Sequence, residues 1–236
     1  MKKFLLITAF ILTFSGIALL IYAISSNGFN FPNNENYSQS TYAVSEEFNN
    51  IKINSGEDDV VFKPSKTASV VCFDSEKIKH IVSAENGTLN IDYDDMRKWY
   101  DYLIPSKSRI ITVYLPLSQY DTIDIKVSTG DINIKDITCK DLNSSGSTGS
   151  ITLENVLASD TLNIKSSTGD VRFINSDAGE ITVKTSTGDV TGTLKSGKEF
   201  ITKTSTGDIS VPDTKFGGKC TVTTSTGDIY IDIFND

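Results

Sequence analysis

The sequence predicts an all-β protein, a parallel β-solenoid resembling a β-helix with about six coils of 19–20 residues. Three observations predict this fold. A phrase of the type Ser-Thr-Gly-Asp recurs at a nearly fixed interval, apolar and polar residues alternate on both sides of each copy, and the apolar ones are mostly β-branched. A period near 20 residues is typical of solenoids, and alternation with period two is typical of strands with one buried face.

The first element of the chain is an uncharged apolar segment, Phe4 to Ile24, which follows Lys2 and Lys3. As a helix it would be about 31 Å long at ~1.5 Å per residue, close to the thickness of a bilayer's hydrocarbon core. No further Lys or Arg occurs before Lys52. Because positive charges favour the cytoplasmic side, we expect residues 1–3 in the cytoplasm, a transmembrane signal-anchor helix over residues 4–24, and the rest outside the cell membrane.

The end of this segment leaves a second interpretation open. Ala23-Ile24-Ser25 has the small-x-small pattern of a signal-peptide cleavage site, and a cleaved chain would be secreted. Both interpretations export the residues from Ser25 onward. Residues 25–47 are rich in Asn and Ser and show no hydrophobic period, which predicts a flexible spacer between the membrane and the folded part.

Residues 48–120 predict a less regular β portion that caps the solenoid. A strand–turn–strand pattern surrounds Ser55-Gly56, Asn86-Gly87 is a hairpin signal, and a further strand ends at Pro116. The stretch from Asp92 to Ser108 interrupts these strands. A cap of this kind would cover the first edge of the solenoid, which would otherwise be free to pair with another chain.

Residues 121–236 contain the repeat. Seven positions before the repeat glycine and two positions after it, all six copies carry an apolar residue or cysteine. The phrase therefore lies at a bend between two strands, where glycine adopts positive φ and neighbouring Ser, Thr and Asp satisfy backbone groups. The repeat-turn glycines are Gly130, Gly149, Gly169, Gly188, Gly207 and Gly227.

In-register stacking would align the residue after each glycine into a ladder of mostly like charges. Two interpretations are open: the carboxylates cap the turns, or they bind a hard cation such as calcium. Calcium-binding β-rolls repeat every nine residues with paired glycines, so we expect turn capping and no metal site. The ladder consists of Asp131, Ser150, Asp170, Asp189, Asp208 and Asp228.

The end of the chain predicts an exposed strand edge. If the coils stack in sequence order, the last coil is the outermost one. Asp228, Asp232 and Asp236 would then blunt its edge against pairing with another chain.

Three aromatic residues, Trp99, Tyr100 and Tyr102, form a candidate binding patch. Exposed aromatic side chains bind sugars and protein partners, but aromatics also pack onto a hydrophobic core. The sequence leaves both interpretations open.

Composition and missing motifs exclude several classes of function. The chain has 30 acidic and 22 basic residues, a charge that disfavours nucleic-acid binding. No nucleophile elbow, phosphate-binding loop or zinc motif occurs, and we interpret the single histidine, His80, as a surface or strand residue. Cys72, Cys139 and Cys220 are widely spaced, which predicts buried thiols without a disulfide framework. We therefore expect no catalytic residues, no cofactor and no enzyme activity.

The "TSTGDI" turns, the upstream "ITVYLP" strand and the N-terminal apolar segment together resemble the bacterial DUF4097 proteins. These are described as adhesin-like β-strand-repeat proteins and include the LiaG-like proteins of Gram-positive bacteria. The resemblance covers about Phe48 to the end of the chain, and Ser150 departs from the repeated phrase. It implies a non-enzymatic β-solenoid at the cell surface. We expect this domain to contact cell-wall or host-surface glycans or proteins. The alternatives are a structural or envelope-stress regulatory protein that acts through a membrane protein or self-association, and a polysaccharide-active β-helix enzyme.

Overall fold

The computed structural model describes residues 36–99, 101–103 and 109–234, together with the isolated residues 13, 15, 16 and 22. The predicted membrane segment, residues 4–24, lies outside the described residues apart from those isolated positions. Among the described residues, no helix is long and apolar enough to cross a membrane. Residues 36–97 and 107–236 cluster as one unit, and the folded structure below belongs to it.

The strands of the N-terminal part are short, and several alternate between buried and exposed residues. Strand β1 falls in the segment predicted to be a spacer, so regular structure is present at least ten residues before the predicted boundary at residue 48. The strands are β1 Ser38–Ala43, β2 Asn50–Ser55, β3 Asp58–Pro64, β4 Ser69–Asp74, β5 Ile78–Glu85, β6 Thr88–Asp95 and β7 Arg109–Leu115.

The strands of the repeat lie on both sides of each Ser-Thr-Gly-Asp turn, as predicted. They are β8 Gln119–Thr129, β9 Ile132–Lys135, β10 Thr138–Thr148, β11 Ile151–Glu154, β12 Leu157–Thr168, β13 Val171–Lys184, β14 Val190–Leu194, β15 Glu199–Lys203, β16 Ile209–Ser210, β17 Lys219–Thr223 and β18 Ile229–Ile233. Strand β13 is long because it turns the corner from one sheet into the other.

The strands form two sheets whose inner faces share one core. Sheet 1 has the order β5-β6-β2-β8-β10-β12-β13-β17-β15. Sheet 2 has the order β1-β4-β7-β3-β9-β11-β13-β14-β18-β16. The pairings are parallel except β5 with β6, β1 with β4 and β4 with β7. The fold is therefore all-β, mostly parallel and solenoid-like.

Equivalent residues of successive coils stack directly on one another. Two positions after the turn glycine, the side chains of Ile132, Ile151, Val171, Val190 and Ile229 are at most 1% exposed. The β-branched side chains fit the pleated inner face of sheet 2, so burial of this column stabilises each of these five coils by similar contacts. The alternation predicted from the sequence thus defines the core.

The last two coils stack in the reverse of sequence order. Cys220 of β17 pairs with Ile181 of β13 on one side and with Phe200 of β15 on the other. The final coil, β17–β18, is therefore inserted between the coil of β13–β14 and the coil of β15–β16. The prediction that the final coil forms the outer edge was wrong, and β15 and β16 form that edge instead.

Side-chain polarity accounts for this order. The inserted coil has Cys220, Val222 and Ile229 at inward positions, all completely buried. In the outer coil the inward positions include Thr202, and Ile209 remains 44% exposed. Placing the more apolar coil between two neighbours removes more apolar surface from water than the opposite order would.

Candidate functional site

The repeated turn requires glycine because each turn contacts the backbone of the adjacent coil. Gly149 has φ +131°, and a Cβ at this position would lie 2.1 Å from the carbonyl oxygen of Gly130. The Gly149 N–H donates to the carbonyl oxygen of Thr168 in the following coil (3.0 Å). The phrase therefore recurs because every coil makes the same bend at van der Waals distance from its neighbour.

The aspartates after these glycines fasten one coil to the next. The backbone N–H of Asp189 donates to Oδ1 of Asp170 (2.9 Å), and the N–H of Asp228 donates to Oδ1 of Asp189 (2.8 Å). The N–H of Asp208 in turn donates to Oδ1 of Asp228 (2.8 Å). Each of these carboxylates thus satisfies a backbone donor of the adjacent turn, which links the coils along the solenoid axis.

This ladder begins earlier than the sequence indicated and contains one break. The N–H of Asp131 donates to Oδ1 of Asp59, and the N–H of Ser150 donates to Oδ1 of Asp131 (both 2.8 Å). Asp59 was missed because it lies three residues after Gly56, whereas the repeat places its aspartate directly after glycine. At Ser150 the carboxylate is replaced by a hydroxyl. Among the described residues, no group of three or more His, Cys, Asp or Glu side chains could hold a metal ion.

The outer face of sheet 1 carries a shallow polar groove of about 530 Å³. Its floor is a hydrogen-bonded row in which the side-chain amide of Asn143 donates to Asp124 (2.8 Å) and that of Asn163 donates to Asn143 (3.0 Å). Lysine side chains line the groove on the side nearer the repeated turns, including Lys126 and Lys165. The arrangement offers a regular series of hydrogen-bonding groups and positive charges on an otherwise acidic chain.

The predicted aromatic patch is described only in part. The side chain of Trp99 is 76% exposed and that of Tyr102 is 54% exposed, whereas Tyr100 lies outside the described residues. A short 3₁₀ turn spans Asp101–Leu103, and the N–H of Lys98 donates to Oδ2 of Asp101 (2.9 Å). A binding role for these aromatics stays a prediction.

A buried ionic network lies in the N-terminal part, where the sequence indicated none. His80 is 5% exposed, so its interpretation as a surface residue was wrong, although it does lie in strand β5. Its Nδ1 is 2.8 Å from Oδ1 of Asp74, and its Nε2 is 3.5 Å from Oδ2 of Asp58. Nε of Arg109 donates to Oδ1 of Asp58 (2.8 Å). The inward position of His80 between Ile78 and Val82 was the available signal.

Hydroxyl groups complete the network. Ser55 donates to Oδ2 of Asp58 (2.8 Å), Ser40 donates to Oδ2 of Asp74 (2.5 Å), and the Tyr42 hydroxyl lies 3.3 Å from the same oxygen. Nε2 of His80 and Nη1 of Arg109 make no hydrogen bond with described residues. The network therefore joins β1, β2, β3, β4, β5 and β7.

The network shifts the pKa of each charged member. Burial alone would raise the pKa of the Asp58 carboxyl, but the hydrogen bond from Arg109 and the charges of His80 and Arg109 outweigh it and lower the pKa to about 2. Burial alone would lower the pKa of His80, and the two aspartates outweigh it and raise that pKa. The pKa of Asp74 is likewise lowered. Protonated His80 is thus stabilised between two carboxylates.

The three cysteines are buried and unpaired, as predicted. Burial raises the pKa of each thiol to about 12, so Cys72, Cys139 and Cys220 are protonated at neutral pH and poor nucleophiles.

The chain belongs to the DUF4097 family. The family model, described as Toastrack DUF4097, matches residues 48–236. The resemblance stated from the repeated turns is thereby confirmed. No curated protein matches the chain significantly.

Solved bacterial structures resemble the chain at low sequence identity. A "putative cell adhesion protein" from Clostridium sporogenes is 11% identical, with a TM-score of 0.51 over 84% of this chain and 100% of that one. A "putative adhesin" from Bacteroides fragilis is 18% identical, with a TM-score of 0.49 over 84% of this chain and 97% of that one. A "putative lipid binding protein" from Parabacteroides distasonis is 17% identical, with a TM-score of 0.37 over 86% of this chain and 98% of that one. At such identities the likeness to the first of these shows the fold alone.

Proposed function

We propose that this chain is a non-enzymatic binding protein of the bacterial cell surface. In this proposal residues 4–24 anchor it in the membrane, and its folded part lies outside the cell. There it contacts an extended glycan or protein of the cell wall or of a host surface. The family membership agrees with this role, and the observation that carries it is the regular polar groove on the outer face of sheet 1.

The groove suits an extended ligand because its groups repeat along the solenoid axis. Parallel strands lie about 4.8 Å apart, so equivalent side chains recur at that interval. Hydrogen bonds between neighbouring side chains, such as Asn163 to Asn143, already restrict the rotamers of the floor. Binding therefore costs less side-chain entropy than it would on an unordered surface.

The buried ionic network supports the non-enzymatic assignment. His80 could act as a proton carrier, but its side chain lies in the core between Asp58 and Asp74. A general base must come within hydrogen-bond distance of the group that it deprotonates, and a side chain enclosed in this way does not reach a substrate. We therefore assign the network a role in stabilising the fold and not in catalysis.

The test is binding of the full-length chain, in a neutral detergent, to a purified bacterial envelope fraction. We expect saturable binding that Asn163→Tyr weakens at least tenfold, because a bulky ring would fill the centre of the groove. Asn133→Tyr is the matched control, since Asn133 is an exposed residue on the outer face of sheet 2. Equal binding by both variants would refute a role for the groove, and no saturable binding by the wild type would refute the proposal itself.

A second candidate function is supported by the exposed edge of the solenoid. Strands β15 and β16 have no further strand beyond them among the described residues, and Ile201 and Ile209 are 50% and 44% exposed. Such an edge can pair with a strand of another chain. The chain would then act as a structural or envelope-stress regulatory protein through self-association or a membrane protein. Ile201→Lys would abolish recovery of that partner while leaving envelope binding unchanged.

A further inference from the structure

Four lysines form a single row along the outer face of sheet 1. We call it the lysine row: Lys126, Lys165, Lys184 and Lys203, all exposed. Strand register aligns them in one column together with two neutral residues. Ser145 pairs with Lys126 and with Lys165, and Thr223 pairs with Lys184 and with Lys203. The column keeps its register through the last two coils, which stack in the reverse of sequence order.

The spacing of the row is set by the sheet. With strands about 4.8 Å apart, the row is about 24 Å long, and its successive charges are about 10, 5 and 10 Å apart. Only Lys165 and Lys184 are on directly neighbouring strands. The row therefore presents a line of positive charge parallel to the solenoid axis.

Within the described part of the chain, none of the four lysines of this row makes an ion pair. Lys135, Lys140 and Lys198, in contrast, are each 2.7 Å from a carboxylate. Like charges directly opposite each other in a sheet are destabilising, as for Lys165 opposite Lys184. Among the described residues, no carboxylate compensates this repulsion by an ion pair with a lysine of the row.

The groove beside the row is positive although the chain is acidic. Lys126, Lys165 and Lys184 line it together with a single acidic residue, Asp124. The Asp124 carboxylate accepts the side-chain amide of Asn143 at 2.8 Å. The amide of Asn143 has a second N–H besides the one that donates to Asp124 and adds a hydrogen-bond donor next to the ammonium groups. The amide of Asn163 donates within the sheet to Asn143 and Thr161. This combination binds an anionic group through charge and hydrogen bonds together.

We infer that the lysine row binds a linear polyanion, a polymer with phosphodiester or carboxylate groups repeated every 5–10 Å. The inference rests on the proposed function and identifies the chemical class of its ligand. A row one residue wide matches a linear polymer that lies along it. A planar anionic surface, in contrast, would also approach the acidic remainder of a chain with net charge −8. Both phosphate and carboxylate polymers have the required chemistry, so the experiment separates them.

The test measures binding of the full-length chain in a neutral detergent to inorganic polyphosphate, to polygalacturonate and to uncharged dextran. The double variant Lys165→Gln/Lys184→Gln removes the two adjacent charges. Lys63→Gln/Lys135→Gln removes the same net charge from residues of strands β3 and β9 in sheet 2 and is the matched control. Glutamine keeps the length and polarity of the side chain, so all variants are expected to fold.

We expect at least one of the two polyanions to bind saturably and dextran not to bind. The row variant should bind at least tenfold more weakly, and its salt dependence (log K against log salt) should fall by about 1 for each lysine removed. Its melting temperature without polymer should rise slightly, because the repulsion between Lys165 and Lys184 is gone.

Unchanged binding by the row variant, or equal losses in both double variants, would overturn the inference. Absence of binding to both polyanions would also overturn it. In each of these cases envelope binding that Asn163→Tyr still weakens would leave the proposed function standing, so the two failures are distinguishable.

Discussion

The repeat and the N-terminal part build the same two sheets by different chemistry. In the repeat, residues 119–233, stacked apolar columns fill most of the core, and the turns are joined through backbone groups and aspartate side chains. In the N-terminal part, residues 38–115, four ionisable side chains are buried together: Asp58, Asp74, His80 and Arg109. The coils of the repeat can all use the same turn and the same core contacts. The N-terminal part cannot, because its strands change from parallel to antiparallel pairing. Buried ionic groups favour one arrangement of the strands that carry them.

The largest expected effect comes from breaking the network of the N-terminal part. Arg109→Met would leave the carboxylate of Asp58 buried next to His80 without its strongest partner, which typically costs about 3–5 kcal/mol of unfolding free energy. Lys135→Met, which breaks the exposed pair with Glu154, is the control and should change stability little. Urea denaturation of both variants measures the difference. Equal unfolding free energies for the two variants would show that the buried network stabilises the fold no more than the exposed pair does.

The next largest effect tests the bend of the repeat. Gly188 has φ +143°, and a Cβ there would lie 2.2 Å from the carbonyl oxygen of Gly169. We expect Gly188→Ala to cost about 3 kcal/mol, because backbone strain and a backbone clash combine. At Gly146 the nearest atom to an added Cβ, the carbonyl oxygen of Val127, is 3.7 Å away. Gly146→Ala should therefore be within about 1 kcal/mol of the wild type. Thermal unfolding followed by circular dichroism compares them, and a tolerated Gly188→Ala would contradict the account of the turn.

A smaller change in stability is expected from replacing a buried polar residue in the core of the repeat. Ser144 is 2% exposed and faces the core between Ile125 and Ile164, and its hydroxyl has no hydrogen-bond partner among the described residues. Ser144→Val should raise the unfolding free energy by about 1–2 kcal/mol, because it removes an unsatisfied polar group and adds apolar contact. Ser145→Val, at the neighbouring outward position, should not stabilise. A destabilised Ser144→Val would mean that the core has no room for the larger side chain.

The smallest effect is a pH dependence confined to the N-terminal part. Because the folded-state pKa of His80 is raised, its contribution to stability is complete below its unfolded pKa near 6.5 and is lost as the pH rises through the folded value. The lowered pKa values of Asp58 and Asp74 have the opposite sign, and the contribution of Asp58 is lost as the pH falls toward about 2.

The unfolding free energy should therefore decline above about pH 6.5 in the wild type. His80→Gln should remove this decline, and His80 is the sole histidine of the chain. Chemical denaturation between pH 5 and pH 9 measures it. The same slope in both proteins would assign the decline to other groups.

The sequence predicted the repeat well because its determinants are local. The glycine spacing, the alternation and the β-branched columns each depend on residues close together in the chain. The order of the last two coils depends on which coil is buried on both sides, a global choice that no local pattern around Cys220 reveals. The ionic network joins Asp58 to Arg109, 51 residues apart, and its members have no shared motif. The repeat itself places the four lysines of the row at one position, four residues before the turn glycine. Their order and spacing along the axis depend on the stacking of the last two coils, which the sequence does not reveal.

The repeated phrase forms a bend, and we propose that ligands bind on the outer face of sheet 1. The most direct test compares polyanion binding by Asp170→Asn/Asp189→Asn with that by Lys165→Gln/Lys184→Gln, both in the full-length chain. Asparagine keeps the oxygen that accepts the next backbone N–H, so the turn variant should fold and bind at least as tightly as the wild type. The lysine variant should bind at least tenfold more weakly. Loss of binding in the turn variant, with binding retained in the lysine variant, would contradict the account.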